Sequence, residues 1–269
     1  MRFSLRQSAA FSASLALMAS VSSAAVVFNQ NFDDTGVFPT NVEIGATGDG
    51  GTTGGRWSRN DSTSPTPTPK ADPAPAYSGD QAMLITRNGS GVTGLLGYRD
   101  DSSTNIASGT FTFQYSIYRN TSDASFSANV NDNTSTAQNS SPLGLYIDST
   151  GDLNTMSSDN VGYVPRGVNI PQATWTQIRQ VVDIDTGKYD LFATIGAGSE
   201  TQILNDYPFK TSAFGGAGSV AFTPSGTVGN TFYVDDVFLG NQPVPEPMSG
   251  GILLGGGLLL LAQRRRTDR

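Results

Sequence analysis

The sequence predicts an all-β sandwich. Three observations point there. Between residues 26 and 240, short runs rich in aromatic and β-branched residues alternate with clusters of Gly, Ser, Thr, Asn and Asp, the pattern of strands separated by turns. No stretch of that body carries the 3.6-residue apolar period of an amphipathic helix. The body is also long enough to bury the core of one sandwich domain, and it must do so without disulfides, since the chain has no cysteine.

Each element follows from its own pattern. Val26-Val27-Phe28 opens the body as a strand. Gly45 to Gly55 is glycine-rich but lacks a Gly-Lys-Ser/Thr ending and a strand–helix setting, so it does not read as a phosphate loop. Residues 61–75 hold Pro65, Pro67, Pro69, Pro73 and Pro75 and predict a stiff, polyproline-like surface insertion. Thr110 to Arg119 is the clearest strand. Phe111, Phe113, Tyr115 and Ile117 make an apolar face, and Thr112, Gln114 and Ser116 a polar one. Asn131, Asp132 and Asn133 read as a polar loop. Leu143 to Ile147 is a strand that ends at Asp148-Ser149-Thr150-Gly151. Thr176 to Ile184 turns Ile178, Val182 and Ile184 to one side. Asp185-Thr186-Gly187-Lys188 is a hairpin turn, after which Tyr189, Leu191 and Ile195 point inward. Ser219 to Thr223 and Thr231 to Leu239 complete the set.

The two ends read differently from the body. Residues 1–25 combine a basic start (Arg2, Arg6), a short apolar stretch from Ala9 to Ala19 and small residues near Ala24, the features of a secretory signal peptide. Residues 241–269 begin with Pro243, Val244, Pro245, Glu246 and Pro247. The prolines fix φ and lack N–H donors, so the segment stays extended. An uncharged run at about 248–262 follows. As a helix rising ~1.5 Å per residue it spans roughly 22 Å against a ~30 Å hydrocarbon core, so flanking residues and bilayer thinning have to cover the difference. Arg264, Arg265 and Arg266 then place the end on the cytoplasmic side. Both ends predict export, with the body outside the inner membrane.

Val244-Pro245-Glu246-Pro247, the apolar helix and the arginine cluster together resemble the PEP-CTERM sorting signal of Gram-negative bacteria. That resemblance implies an exosortase-like processing enzyme as partner. It also implies a membrane intermediate held by the C-terminal helix, then delivery to the cell surface or an exopolysaccharide matrix. Glu246 would belong to the recognition motif and not to a catalytic site.

Three further motifs resemble jelly-roll β-sandwiches of the concanavalin A-like (laminin G-like) and galactose-binding-like groups. They are Asn31 to Gly36, Trp175 with the hairpin from Val181 to Leu191, and Thr231 to Leu239. The resemblance implies a jelly roll and a structural calcium ion shared by Asp33 and Asp235, with no other cofactor. Asp235 and Asp236 lie in a strand apolar on both faces, so one carboxylate points into packed surroundings. A cation would relieve that charge. Capping of backbone N–H groups, or pairing with an arginine, would do the same.

Composition limits the chemistry. The chain has no histidine and no cysteine, which excludes Ser-His-Asp and Cys-His nucleophiles and the usual zinc sites. Between 26 and 240 there are 10 basic against 21 acidic residues, a surface that repels nucleic acid. The only glutamates there are Glu43 and Glu200, and neither belongs to a paired-carboxylate motif of the kind glycoside hydrolysis needs. Asp183 and Asp185 share a face but adjoin a turn. Aromatic rings that could stack on sugars are Trp57, Tyr98, Tyr118 and Trp175, each of which could equally be core or loop packing. The expectation is a non-catalytic exported protein associated with exopolysaccharide. The rivals are a glycan-active hydrolase or lyase on the same fold and a protein-binding adhesin.

Overall fold

The computed structural model describes residues 26–33, 57–59, 68–71, 76–87, 95–98, 106–131 and 141–241. The segment read as a signal peptide and the sorting tail beyond Asn241 lie outside the described residues, as does most of 61–75. Among the described residues no helix is long and apolar enough to cross a membrane.

Among the described residues fifteen strands form two sheets. The larger contains β1 (Val26–Gln30), β3 (Thr68–Ala71), β4 (Gln81–Thr86), β6 (Thr110–Arg119), β11 (Trp175–Asp183), β12 (Lys188–Ile195), β13 (Thr201–Pro208) and β15 (Thr231–Gly240). Its order is β13-β12-β11-β6-β15-β4-β3, with β1 also on β15. The smaller contains β2 (Trp57–Arg59), β5 (Leu95–Tyr98), β7 (Ala124–Asn131), β8 (Leu145–Ile147), β9 (Asp152–Met156), β10 (Tyr163–Asn169) and β14 (Ser219–Gly226). Its order is β10-β9-β8-β7-β14-β5-β2. Every paired strand is antiparallel, so alternate residues go to the core between the sheets.

The predicted faces hold in the clearest strands. Phe111, Phe113, Tyr115 and Ile117 of β6 are all buried, and Ile178 and Val182 of β11 join them. Tyr115 packs its ring 5.2 Å from Phe222 of β14, and Phe126 of β7 lies 4.9 Å from Phe232 of β15. These rings join the two sheets. Arg119 ends β6 inside this packing, 2% exposed. Its guanidinium donates to the carbonyls of Ile170 (2.6 Å), Ser122 (2.8 Å) and Ser149 (3.3 Å). It therefore ties three connections to one point. Gly151 at φ +97° passes so close that a Cβ there would lie 2.1 Å from the guanidinium.

Several expectations change. Residues 68–71 of the proline-rich stretch form edge strand β3, with Pro69 opposite Met83. An edge position tolerates the missing donor. Leu143 is buried but precedes β8, which starts at Leu145. Asn131 is not in a loop; it ends β7, and Asp132 and Asn133 lie outside the described residues. Ile195 has the inward parity but is 38% exposed, because it is the last residue of β12 and sits beyond the core layer.

Candidate functional site

The larger sheet has a split edge, and the acidic residues sit at the split. β4 pairs with the first half of β15, through Thr231 to Val234. β1 pairs with its second half, from Val237 to Gly240. Between them β15 bulges at Asp235 and Asp236, and Asp236 takes a positive φ of 47°. The end of β1 and the start of β4 therefore meet at these two carboxylates, where neither strand can satisfy the amides of the turn leading into β4.

The carboxylates satisfy them. Asp235 Oδ2 accepts from the amides of Tyr77 (2.9 Å) and Ser78 (3.2 Å), and its Oδ1 accepts from the amide of Asp236 (2.8 Å). Asp33 Oδ1 accepts from the amides of Asp80 (2.8 Å) and Gln81 (3.0 Å). Ser78 Oγ donates to Asp236 Oδ1 at 2.6 Å, and the Gln81 side chain donates to the Phe32 carbonyl. Gly79 is required at the centre. Its φ is +61°, and a Cβ would lie 1.7 Å from Asp33 Oδ2.

Asp235 is fully buried. Burial, then the adjacent Asp236, pushes its carboxyl up to about 8, against the three amide bonds. Burial, and after it Asp33, also raises Asp236. Asp33 and Asp235 thus meet on one turn, as the sequence reading expected, but each serves a different part of it. Asp33 Oδ1 and both oxygens of Asp235 accept from backbone amides, and Asp33 Oδ2 accepts from the Asn31 side chain at 2.7 Å. Among the described residues no group of three or more His, Cys, Asp or Glu side chains is placed to hold a metal. The bonds present are those of the amide-capping alternative.

Beside this turn runs a row of aromatic rings on the outer face of the sheet. Strand register places Tyr233 opposite Tyr118 and Tyr118 opposite Trp175. Tyr118 lies 5.5 Å from Trp175 and 6.0 Å from Tyr233. Tyr77, delivered by the turn, packs edge-on to Trp175 at 5.7 Å. All four are partly exposed. The next row inward is polar, with Asp235, Ser116 and Gln177 in register. The Trp175 indole nitrogen is buried without a hydrogen-bond partner. Burial, then Asp236, raises the Tyr77 phenol; burial, then Tyr118, raises that of Tyr233.

The predicted stacking residues divide. Tyr118 and Trp175 are brought together. Trp57 is a correction: it is 2% exposed in the core, edge-on to Phe32 at 5.3 Å, and a ring with no free face cannot stack on a sugar. Tyr98 pairs with Ser219 in β5, and its side chain lies outside the described residues. Tyr77, Ser78 and Tyr233 were missed. Only the register of β6 with β15, and the 158-residue reach from Tyr77 to Asp235, brings them in. Val244 to Pro247 and Arg264 to Arg266 lie outside the described residues.

No family model and no curated protein matches the chain. Solved structures match at the level of fold. The catalytic domain of a glycoside hydrolase family 131 protein from Coprinopsis cinerea is similar with a TM-score of 0.54 and 14% identity, over 84% of this chain and 98% of that one. A carbohydrate esterase from the Shiga toxin-encoding bacteriophage phi24B is similar with a TM-score of 0.51 and 11% identity, over 82% of this chain and all of that one. The class is therefore a two-sheet jelly-roll sandwich. At these identities the likeness establishes the fold and leaves the activity to the site.

Proposed function

We propose that this chain is an exported, non-catalytic protein that associates with neutral exopolysaccharide. The PEP-CTERM-like tail would deliver it to the surface or matrix through an exosortase-like enzyme, after a membrane-held intermediate. The observation that carries the glycan reading is the partly exposed row Tyr233–Tyr118–Trp175, with Tyr77 against it and a polar row alongside. Aromatic faces supply apolar area to pyranose rings, and Gln177, the partly exposed member of the polar row, is placed to take a hydroxyl. Fold likeness to two carbohydrate-acting proteins supports the same reading.

The carboxylates favour binding over catalysis. Glu200 is held bidentately by Arg179 at 2.8 and 2.5 Å. Asp183 caps its hairpin by accepting from the Thr186 amide at 3.1 Å. Asp235, its carboxyl pushed up to about 8 by burial and Asp236, has no exposed surface through which to reach a glycosidic oxygen. Retardation of the chain in native gels cast with neutral polysaccharide tests the proposal. Retardation without new reducing ends or unsaturated products is the expected result. Release of either product would replace it with the enzyme reading, and retention that survives glycan competition would favour a protein-binding adhesin.

A further inference from the structure

The aromatic row is one end of a longer open surface. β11 buries every second residue, and β12 does the same up to Ala193. The outward residues of both strands are all partly or fully exposed. On neighbouring β6 the outward Thr112, Gln114 and Ser116 are at most 8% exposed. The accessible part of this face is therefore a strip that runs along β11 and β12, away from Trp175.

A second platform stands on this strip. Register puts Arg179 opposite Phe192, and the guanidinium carbon lies 4.0 Å from the ring centroid. Glu200 accepts from Nε and Nη2 of the same guanidinium, at 2.8 and 2.5 Å. The ring contact and the bidentate pair fix the group, so little side-chain freedom remains to be lost on binding. The platform is open to solvent: the side chains of Arg179 and Glu200 are 24% and 39% exposed, and Phe192 is partly exposed. Glu200 leaves Nη1 unused, and each carboxylate oxygen keeps a lone pair. Donors and acceptors for hydroxyl groups thus lie beside an apolar ring.

Trp175 and Arg179 are four residues apart on β11, roughly 13 Å at the strand rise, which is longer than one pyranose ring. Between them the outward positions are Gln177 and Thr194, opposite each other, both neutral and both able to donate and accept. The charges of the strip are balanced locally. Arg179 and Glu200 neutralise one another. Asp183 and Asp190 accept from the amides of Thr186 (3.1 Å) and Asp206 (2.8 Å), and Lys188 lies opposite Asp183. Such a surface complements an uncharged polymer better than an acidic one.

We infer that the outer face of the larger sheet binds an extended run of neutral polysaccharide, several sugars long, and not a single terminal sugar. Trp175 holds one end of the run and the Phe192–Arg179–Glu200 platform holds the other. The inference rests on the glycan reading above and names the form of its ligand. The test is calorimetric titration of the purified full chain with disaccharide, tetrasaccharide and octasaccharide fractions from partial hydrolysis of neutral exopolysaccharide. Wild type, F192A, E200Q and W175A are compared. Wild-type affinity should rise about tenfold or more from disaccharide to octasaccharide, because the second contact is made within one bound chain. F192A should flatten that rise by removing the ring that supports the guanidinium. E200Q, at an exposed position, should reduce it by weakening the charge-assisted pair, and decides the matter should F192A fail to fold. W175A should weaken binding of every length. Equal affinity for all lengths in wild type, or a rise that persists in both F192A and E200Q, overturns the inference and leaves the glycan reading standing. No binding of any fraction by wild type overturns the glycan reading itself, and this inference with it.

Discussion

Asp235 makes an unusual stability prediction, because its pKa lies on the opposite side from those of most structural carboxylates. An unfolded aspartate ionises near 3.8, whereas burial and Asp236 hold the folded carboxyl up to about 8. Between these values the unfolded state has lost the proton and the folded state has kept it. Stability therefore falls as pH rises, by at most about 1.4 kcal/mol per pH unit. Over the whole window the loss is on the order of 5 kcal/mol. Below the window both states are protonated and the cost vanishes. The turn carboxylates Asp148, Asp159 and Asp183 are lowered, so their contributions grow as pH rises past their folded values. A raw pH profile mixes the two signs. Urea unfolding of wild type and D235N from pH 4 to pH 8 separates them. The substitution also changes the bonding to the Tyr77, Ser78 and Asp236 amides, but that offset is the same at every pH. The stability difference, wild type minus D235N, should fall steadily as pH rises. A difference that stays flat, or that rises with pH, means Asp235 is ionised in the fold, and the reasoning fails.

Other substitutions follow from the same geometry. R119M removes the donors to three carbonyls and should cost about 3 kcal/mol or more in urea unfolding, since each acceptor left unpaired is expensive. G79A places a side chain on a positive φ and into the Asp33 carboxylate, so it should lower stability by about 2 kcal/mol or more. Calcium followed by chelator should leave the melting temperature unchanged if the carboxylates of Asp33 and Asp235 serve only to cap the backbone amides of the turn. A rise with calcium would restore the cation reading.

Sequence pattern was readable wherever large and polar side chains alternate. β6 declares both its faces, because Phe, Phe, Tyr and Ile fall at every second position. β7 has the same period but builds it from Ala, Ser and Asn, and so it passed as loop at its end. Trp57 could not be placed from sequence: a three-residue strand among glycines gives no period to say which face is buried. Pro69 read as part of a stiff polyproline-like insertion, whereas pairing with β4 makes it an edge strand. At the site, the motifs around Asp33 and Asp235 were legible in the two strands that carry them. Their shared task was not, since it depends on where β1 stops and β4 starts along β15, a fact of register and not of composition.

The central claim is that the outer aromatic row holds neutral glycan. Co-sedimentation of the purified chain with neutral exopolysaccharide, wild type beside W175A, tests it most directly. The account predicts saturable pelleting of wild type, weakened about tenfold or more in W175A by loss of one stacking ring. Pelleting that is equal in the two proteins, or absent in wild type, would contradict it.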